Sequence, residues 1–433
     1  MKISKLHIDQ FRHLENLDFD FTYPEDFHTK EKRGKPLDKI CFIGQSATGK
    51  TSLLELIKEQ HTMINSIIIN DNGYSYKKED IKEINGSITF NIDDNNLIVI
   101  KNKQLEFKDK TFTFISSGNF SDLLKDQDQK KYLYYIKSNL ISEKNIEIFE
   151  KNPIYIFEKY PELDKKFKIN NFYPKEVPII FDNNVEVNLW LTLMVEILDY
   201  RKKFNQKMSD LIYKGLLGNQ EKLTFEFERW QKENPNTLEL FAKKFNPILE
   251  KLNLEVDVFN TEFSIPIKNK RNDEIIPIQN TSTGTKGLLL SFLPLFKLDT
   301  KDSIILIDEP ERSLYPDMQM DLMEYYQNLA PEAQFIVATH SPFIAASFEP
   351  EERFILYFDE EGKVAVRRGS SPIGDDPNDM LKNDFGINYY NKFGEEAYNK
   401  YLKLKEDLAK EKDPIKKKKL LLETVKLGDI YNF

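Results

Sequence analysis

Ile40-Cys41-Phe42-Ile43-Gly44-Gln45-Ser46-Ala47-Thr48-Gly49-Lys50-Thr51 decides how the rest of this 433-residue chain is read. An apolar run of strand character meets the pattern G-x-x-x-x-G-K-[ST], and Ser52-Leu53-Leu54-Glu55-Leu56-Ile57 follows with helical character. Strand, glycine-bracketed loop and helix in that order form a cradle for phosphate groups. Gly44 and Gly49 let the backbone turn so that successive N–H groups face an anion. The helix N-terminus adds partial positive charge behind them. Gly44, Gln45, Ser46, Ala47, Thr48, Gly49, Lys50, Thr51 and Ser52 are therefore the expected nucleotide-binding residues. Lys50 would reach the outer phosphates, and the Thr51 hydroxyl would hold Mg²⁺.

A second motif answers the first from the far end of the chain. Ser303-Ile304-Ile305-Leu306-Ile307-Asp308-Glu309-Pro310 is an apolar run closing on two carboxylates, the Walker B pattern. A buried parallel strand delivers both acids to its C-terminal edge, where ligands bind in α/β sheets. Asp308 would hold Mg²⁺ through water, and Glu309 would orient and polarise the attacking water. Two acids after a strand more often make a solvated turn; the phosphate loop in the same chain reverses that preference. Gln334-Phe335-Ile336-Val337-Ala338-Thr339-His340-Ser341 is another apolar strand, ending in a histidine where a γ-phosphate contact would sit. Upstream, Asn280-Thr281-Ser282-Thr283-Gly284-Thr285-Lys286-Gly287 opens an apolar helix about twenty residues before Walker B. Alone it is a small-residue helix start; in this position it has the look of an ABC signature.

The chain resembles ABC-class ATPases of the SMC-like kind, and within them the OLD- and RecF-like bacterial branch. Lys2 to Leu14, with Phe11-Arg12, is similar to that branch's first strand and its "FR" element. Asp308-Glu309-Pro310-Glu311-Arg312-Ser313-Leu314-Tyr315-Pro316 resembles its D-E-P-E-x-x-L-H-P stretch, with Tyr315 in place of the usual His, and Thr339-His340-Ser341-Pro342 matches its switch-histidine motif. The signature departs more, keeping Ser282 and Gly284 but lacking the Gly-Gly-Gln of transporters. The resemblance implies two heads meeting face to face around two ATP molecules. Lys50, Thr51, Asp308, Glu309 and His340 of one head would face Ser282 and the N–H groups near Gly284 of the other, so Lys50, Glu309 and His340 form the expected catalytic set. Arg12 would sit near the nucleotide by analogy, or form a surface ion pair; the two readings stand side by side. Glu311 to Leu314 would carry the inter-head D-loop.

About 250 residues separate the two halves of this site, without a sustained heptad run. The fold class expected is α/β: a P-loop ATPase head of ABC type, a mixed sheet flanked by helices, with an inserted helical lobe and a helical tail. The reading divides the chain into residues 1–118 (first ATPase lobe), 119–253 (mostly helical insertion), 254–370 (signature, Walker B and switch histidine) and 371–433 (helical tail). Ser87–Phe90, Leu97–Lys101 and Thr111–Ser116 read as antiparallel strands, and residues 119–186 as short helices joined by loops. Apolar faces begin at Leu189 and again at Leu238. Phe259–Ile267 and Ile275–Ile278 read as strands, and Phe354–Tyr357 with Val364–Val366 as a hairpin. Lys416-Lys417-Lys418-Lys419 lies on a helical stretch between acids and reads as a solvated face.

Composition bounds the rest. Apolar content of 40% and charged content of 31% are those of a globular protein. The net charge of −9 argues against a uniformly basic nucleic-acid surface. One cysteine, Cys41, excludes an internal disulfide and a Cys-based zinc hook. No long apolar run and no leader pattern is read, which gives a cytoplasmic, membrane-free expectation. Neither an H-N-H-like group among the five histidines nor a TOPRIM-type acidic module can be read, so effector chemistry is expected on another polypeptide. Stand-alone ATPases of the resembled branch occur in bacterial anti-phage defence, including Septu and retron-associated types. The resemblance thus implies a homodimer or higher homo-oligomer that senses a trigger and regulates a separate effector, a nuclease. The competing readings are a RecF-like repair ATPase that binds DNA and a slow-turnover, ATP-switched scaffold.

Overall fold

Unbroken runs of Ile, Leu, Val and Phe become strands buried on both faces, and here they build a largely parallel sheet. The computed structural model describes residues 1–70, 85–93, 96–101, 104–108, 110–113, 132–160, 178–387 and 392–431. They form two compact units, Met1–Gly374 and Asp375–Phe433. In the first unit, β1 (Lys2–Phe11) and β2 (Leu14–Asp20) pair antiparallel, and β1 also pairs antiparallel with β4 (Asn85–Asn91). β5 (Leu97–Lys101), β6 (Gln104–Phe107) and β7 (Lys110–Thr113) extend this to six strands in the order β2-β1-β4-β5-β6-β7. The expected strands at 87–90 and 97–101 are present. The one at 111–116 is present to Thr113 and otherwise lies outside the described residues, and β6 was not anticipated.

The main sheet has seven strands. They are β3 (Lys39–Gly44), β8 (Leu133–Ile136), β9 (Ile179–Phe181), β13 (Ile304–Asp308), β14 (Gln334–Ala338), β15 (Arg353–Phe358) and β16 (Val364–Arg368), ordered β16-β15-β3-β14-β13-β8-β9. Every neighbouring pair is parallel except β15–β16, the hairpin expected from the sequence. Strands β3, β13 and β14 therefore run side by side and in one direction, so the phosphate loop, the two acids and the histidine emerge at the same edge. Helix Lys50–Asn70 packs on one face. Between that face and the first sheet lies a core that includes Phe19, Phe21, Phe42 and Phe354, whose rings meet at 5.0–6.0 Å.

Within residues 119–186, read as short helices joined by loops, 119–131 and 161–177 lie outside the described residues and the remainder corrects that reading. Helices Glu143–Glu150 and Pro153–Lys159 are there, but so are β8 and β9, which join the main sheet beside Walker B. Helices Val187–Tyr213, Gln220–Glu233 and Thr237–Leu249 make the helical lobe, and Pro247 is accommodated inside the last of them. Trp190, fully buried, ties the lobe to the sheet edge through Phe181 at 5.7 Å and Phe149 at 6.1 Å. A small antiparallel sheet follows: β10 (Leu254–Val256), β11 (Ile267–Asn269) and β12 (Ile275–Ile276). The expected strand from Phe259 is instead a chain of side-chain-capped turns, in which Asp257 accepts from the Phe259 N–H and Asn260 from the Glu262 N–H. In the second unit, helix Pro377–Asn383 precedes a helical hairpin, Lys392–Lys410 and Pro414–Tyr431, with Lys416 to Lys419 all exposed. Among the described residues no helix is long and apolar enough to cross a membrane.

Candidate functional site

The loop between β3 and helix Lys50–Asn70 has the backbone that its glycines predict. Gly44 has φ 149° and Gly49 has φ 93°. A Cβ on Gly44 would lie 2.1 Å from the Leu356 carbonyl oxygen of β15, and one on Gly49 would lie 2.7 Å from Leu14 Cδ2. The loop is thus gripped on one side by the main sheet and on the other by the β1–β2 turn. Gln45, Ser46 and Ala47 at its crest are exposed, and Ala47 is left-handed at φ 66°. Lys50 folds back beneath them, donating to the Gly44 and Gln45 carbonyls at 2.9 Å each. Burial lowers its pKa to about 8, against the opposing fields of Glu309, Asp308 and Glu311.

Walker A and Walker B meet through one side chain. The Thr51 hydroxyl donates to the Asp308 carboxylate, 3.1 and 3.2 Å from its two oxygens, across 257 positions of sequence. Asp308 is buried at the end of β13, and burial lifts its pKa to about 6; the Thr51 bond opposes this, while Glu309, Glu311 and Glu55 add to it. At Glu309 the strand breaks into a left-handed conformation, φ 51°, while its N–H still reaches the Ala338 carbonyl at 2.8 Å. For a residue with a Cβ that geometry costs energy. It turns the Glu309 side chain out of the sheet line and leaves it about 40% exposed, 4.0 Å from His340 Nε2. His340 is correspondingly open, with its pKa held down by burial and by Lys50.

Glu311 does something that its motif position did not announce. Its Oε1 accepts the His340 backbone N–H at 2.8 Å, so the loop after Walker B is tied to the loop bearing the histidine. Burial raises its pKa, opposed by that bond. Ser341 fastens the far side of the histidine loop by donating to Gln319 Oε1 at 2.5 Å. Arg12, left-handed at φ 57°, donates to Ser52 Oγ at 3.0 Å and to Glu55 Oε2 at 2.6 Å. The ion pair is therefore real, and it is formed with the first turns of the phosphate-loop helix.

Ser282 caps helix Thr283–Lys297, its Oγ accepting the Thr285 N–H at 3.1 Å, and is exposed. Gly284 is buried: a Cβ there would lie 2.5 Å from the Ser313 carbonyl oxygen. Ser313 is itself left-handed, φ 62°. The signature and the expected D-loop thus touch within one chain, and a cavity of about 220 Å³ beside them is lined by Gly284, Asp308, Glu309 and Ser313. No hydrogen bond joins Ser282 to Lys50, Thr51 or Asp308 among the described residues. Tyr315, where the resembled motif carries histidine, is 75% exposed.

Three carboxylates (Asp308, Glu309 and Glu311) face the buried Lys50 ammonium, while Glu55 is paired with Arg12, and burial pushes both Lys50 and Asp308 toward neutrality. A divalent cation bound with phosphate relieves that imbalance. Thr51 and Asp308 offer two oxygen donors, the hard set that Mg²⁺ takes when the rest of its shell is water and phosphate. Among the described residues no group of three or more His, Cys, Asp or Glu is placed to hold a metal ion. Glu55 escaped the sequence reading, although its place four residues after Thr51 puts it on the same helix face.

A family model described as AAA ATPase domain matches residues 1–345. Among curated proteins, the chain is similar to the Retron Vc95 probable ATPase of Vibrio cholerae serotype O1 biovar El Tor. The two are 27% identical over 267 residues, 60% of this chain and 49% of that protein. It is also similar to the Septu protein PtuA of Bacillus thuringiensis, 33% identical over 72 residues, 17% of this chain and 18% of that protein. The chain therefore spans about half the length of the first relative and less than a fifth of the second. Among solved structures it is similar to an SmcHead bound to the C-winged helix domain of ScpA, at 15% identity and a TM-score of 0.43, covering 86% of this chain and 98% of that one. The SMC head domain from Thermotoga maritima gives 11% identity and a TM-score of 0.39, covering 86% and 100%.

Proposed function

The chain belongs to the AAA ATPase domain family, and on that premise we propose that it is a Mg²⁺-dependent ATP hydrolase whose nucleotide state controls its assembly and a separately encoded effector. The observation that carries this reading is the contact of Thr51 with Asp308, which brings two distant motifs together where the reading puts phosphate and metal. Lys50 moves its two hydrogen bonds from loop carbonyls to phosphate oxygens. Thr51 and Asp308 would hold Mg²⁺, which would supply charge neutralisation for the phosphates when bound. Glu309, turned outward at the strand end, orients the attacking water and takes its proton, with His340 beside it at the γ-phosphate. Arg12 steadies the first helical turn through Ser52 and Glu55.

The exposed signature cap at Ser282 supports a site completed by a second copy of the chain. Its helix N-terminus is free to meet phosphate from outside. ATP would then act as a removable adhesive between heads, with hydrolysis as the reset. The similarity to a retron-associated ATPase and to a Septu protein supports a role in anti-phage defence, with a nuclease as the regulated partner.

Phosphate release by the purified chain, with and without Mg²⁺, tests the catalytic part. Glu309→Gln should keep ATP binding and lose roughly 10²–10⁴-fold in turnover, the usual weight of a general base. A Glu309→Gln variant hydrolysing at the wild-type rate removes Glu309 from this role.

A further inference from the structure

Tyr135 is a buried tyrosine whose hydroxyl has no hydrogen-bond partner among the described residues. It lies on β8, whose parallel register sets Tyr135 against Leu306 and Ile136 against Ile307, so β8 runs alongside β13 to one residue short of Asp308. Its side chain is 0% exposed and belongs to the core that holds Leu306, Leu53 and Leu54. Among the described residues its hydroxyl finds no hydrogen-bond partner. A phenol in such a place is a net cost to folding that phenylalanine would avoid. A buried group of this kind calls for a partner, which a ligand, an ion or an ordered water can supply.

The surroundings say which. After burial itself, the charges acting on the hydroxyl are Asp308 and Glu55, opposed by Arg12. These are the groups around the junction of Walker A and Walker B: Asp308 bonded to Thr51, and Glu55 to Arg12. The hydroxyl is thus an unpaired group among the described residues, held on a strand whose register sets Tyr135 opposite Leu306, two positions before Asp308 and on the same face of the sheet.

We propose that Tyr135 is a positioning residue for the metal: its hydroxyl takes its hydrogen-bond partner from the hydration layer that Mg²⁺ brings to Asp308. The strand fixes the phenol oxygen in advance as an acceptor for a polarised water O–H, so the loaded site would gain a charge-assisted hydrogen bond without ordering anything new. This inference rests on the assignment of Asp308 as the metal-side carboxylate.

Tyr135→Phe in the full chain tests it, because only the hydroxyl is removed. Two quantities are read by thermal unfolding: the melting temperature without nucleotide or metal, and the Mg²⁺ concentration giving half-maximal stabilisation at a saturating non-hydrolysable ATP analogue. The proposal expects the bare melting temperature to stay or rise and the Mg²⁺ midpoint to increase about tenfold, the value of one hydrogen bond to a charged group. A Mg²⁺ midpoint within twofold of wild type overturns it. So does a lowered bare melting temperature, which would show that the hydroxyl already has a structural partner. Asp308→Asn separates the two levels of the argument. If Asp308→Asn keeps the wild-type midpoint, the metal assignment itself fails. If it loses the midpoint while Tyr135→Phe does not, the Tyr135 proposal alone is wrong.

Discussion

Lys50 and Asp308 carry the pH dependence of the site, because burial moves their pKa values toward each other, to about 8 and about 6. Binding Mg²⁺ and phosphate needs Asp308 ionised and Lys50 protonated. Affinity for Mg·ATP should therefore fall below about pH 6, as Asp308 gains a proton, and again above about pH 8, as Lys50 loses one. Isothermal titration across pH 5–9 would show the bell; a flat profile would contradict both assignments. Lys50→Ala should weaken ATP binding at least ~10–100-fold, through the loss of charge-assisted hydrogen bonds, and equal affinity would refute the phosphate-loop reading. Gly44, Lys50, Thr51, Asp308, Glu309 and His340 were readable because each sits in a short contiguous motif. The tie from Glu311 to the His340 N–H and the orphaned Tyr135 hydroxyl were not. They depend on which loop packs against which and on strand register, neither of which has a local signature.

Secondary-structure elements act here as couplers. The signature helix is seated on the loop after Walker B at Gly284, where a side chain would collide with the Ser313 carbonyl. Gly284→Ala should separate them or force the loop to shift, at a cost of about 1–3 kcal/mol typical of overpacking. A fall in melting temperature, with ATP affinity at Lys50 retained, is the expected result, and an unchanged melting temperature would show that the contact yields freely. Strands β3, β13 and β14 were legible from their unbroken apolar runs. β8 was not: Leu133-Tyr134-Tyr135-Ile136 is only four residues long, half of them aromatic, and as compatible with a buried helical turn as with a strand. β9, three residues long, carries still less signal, and only its pairing with β8 makes it a strand. The turns after Asp257 were read as strand because aromatic and β-branched residues dominate there, whereas Asp257 and Asn260 capture the backbone first.

At the scale of the molecule the account turns on what ATP does to copies of the chain. Ser282, exposed at its helix cap, is the residue whose enlargement should discriminate. Ser282→Arg is expected to spare ATP binding and abolish ATP-driven association, measured by light scattering after gel filtration; assembly that survives would remove the signature from the interface. The most direct test of the central claim is the native mass of the hydrolysis-slowed Glu309→Gln chain, with Mg·ATP and without nucleotide. The account predicts one chain without nucleotide and a complex of two or more chains retaining ATP and Mg²⁺ in equal number with it. A mass of one chain under both conditions, at ATP concentrations shown to saturate the site, would contradict it.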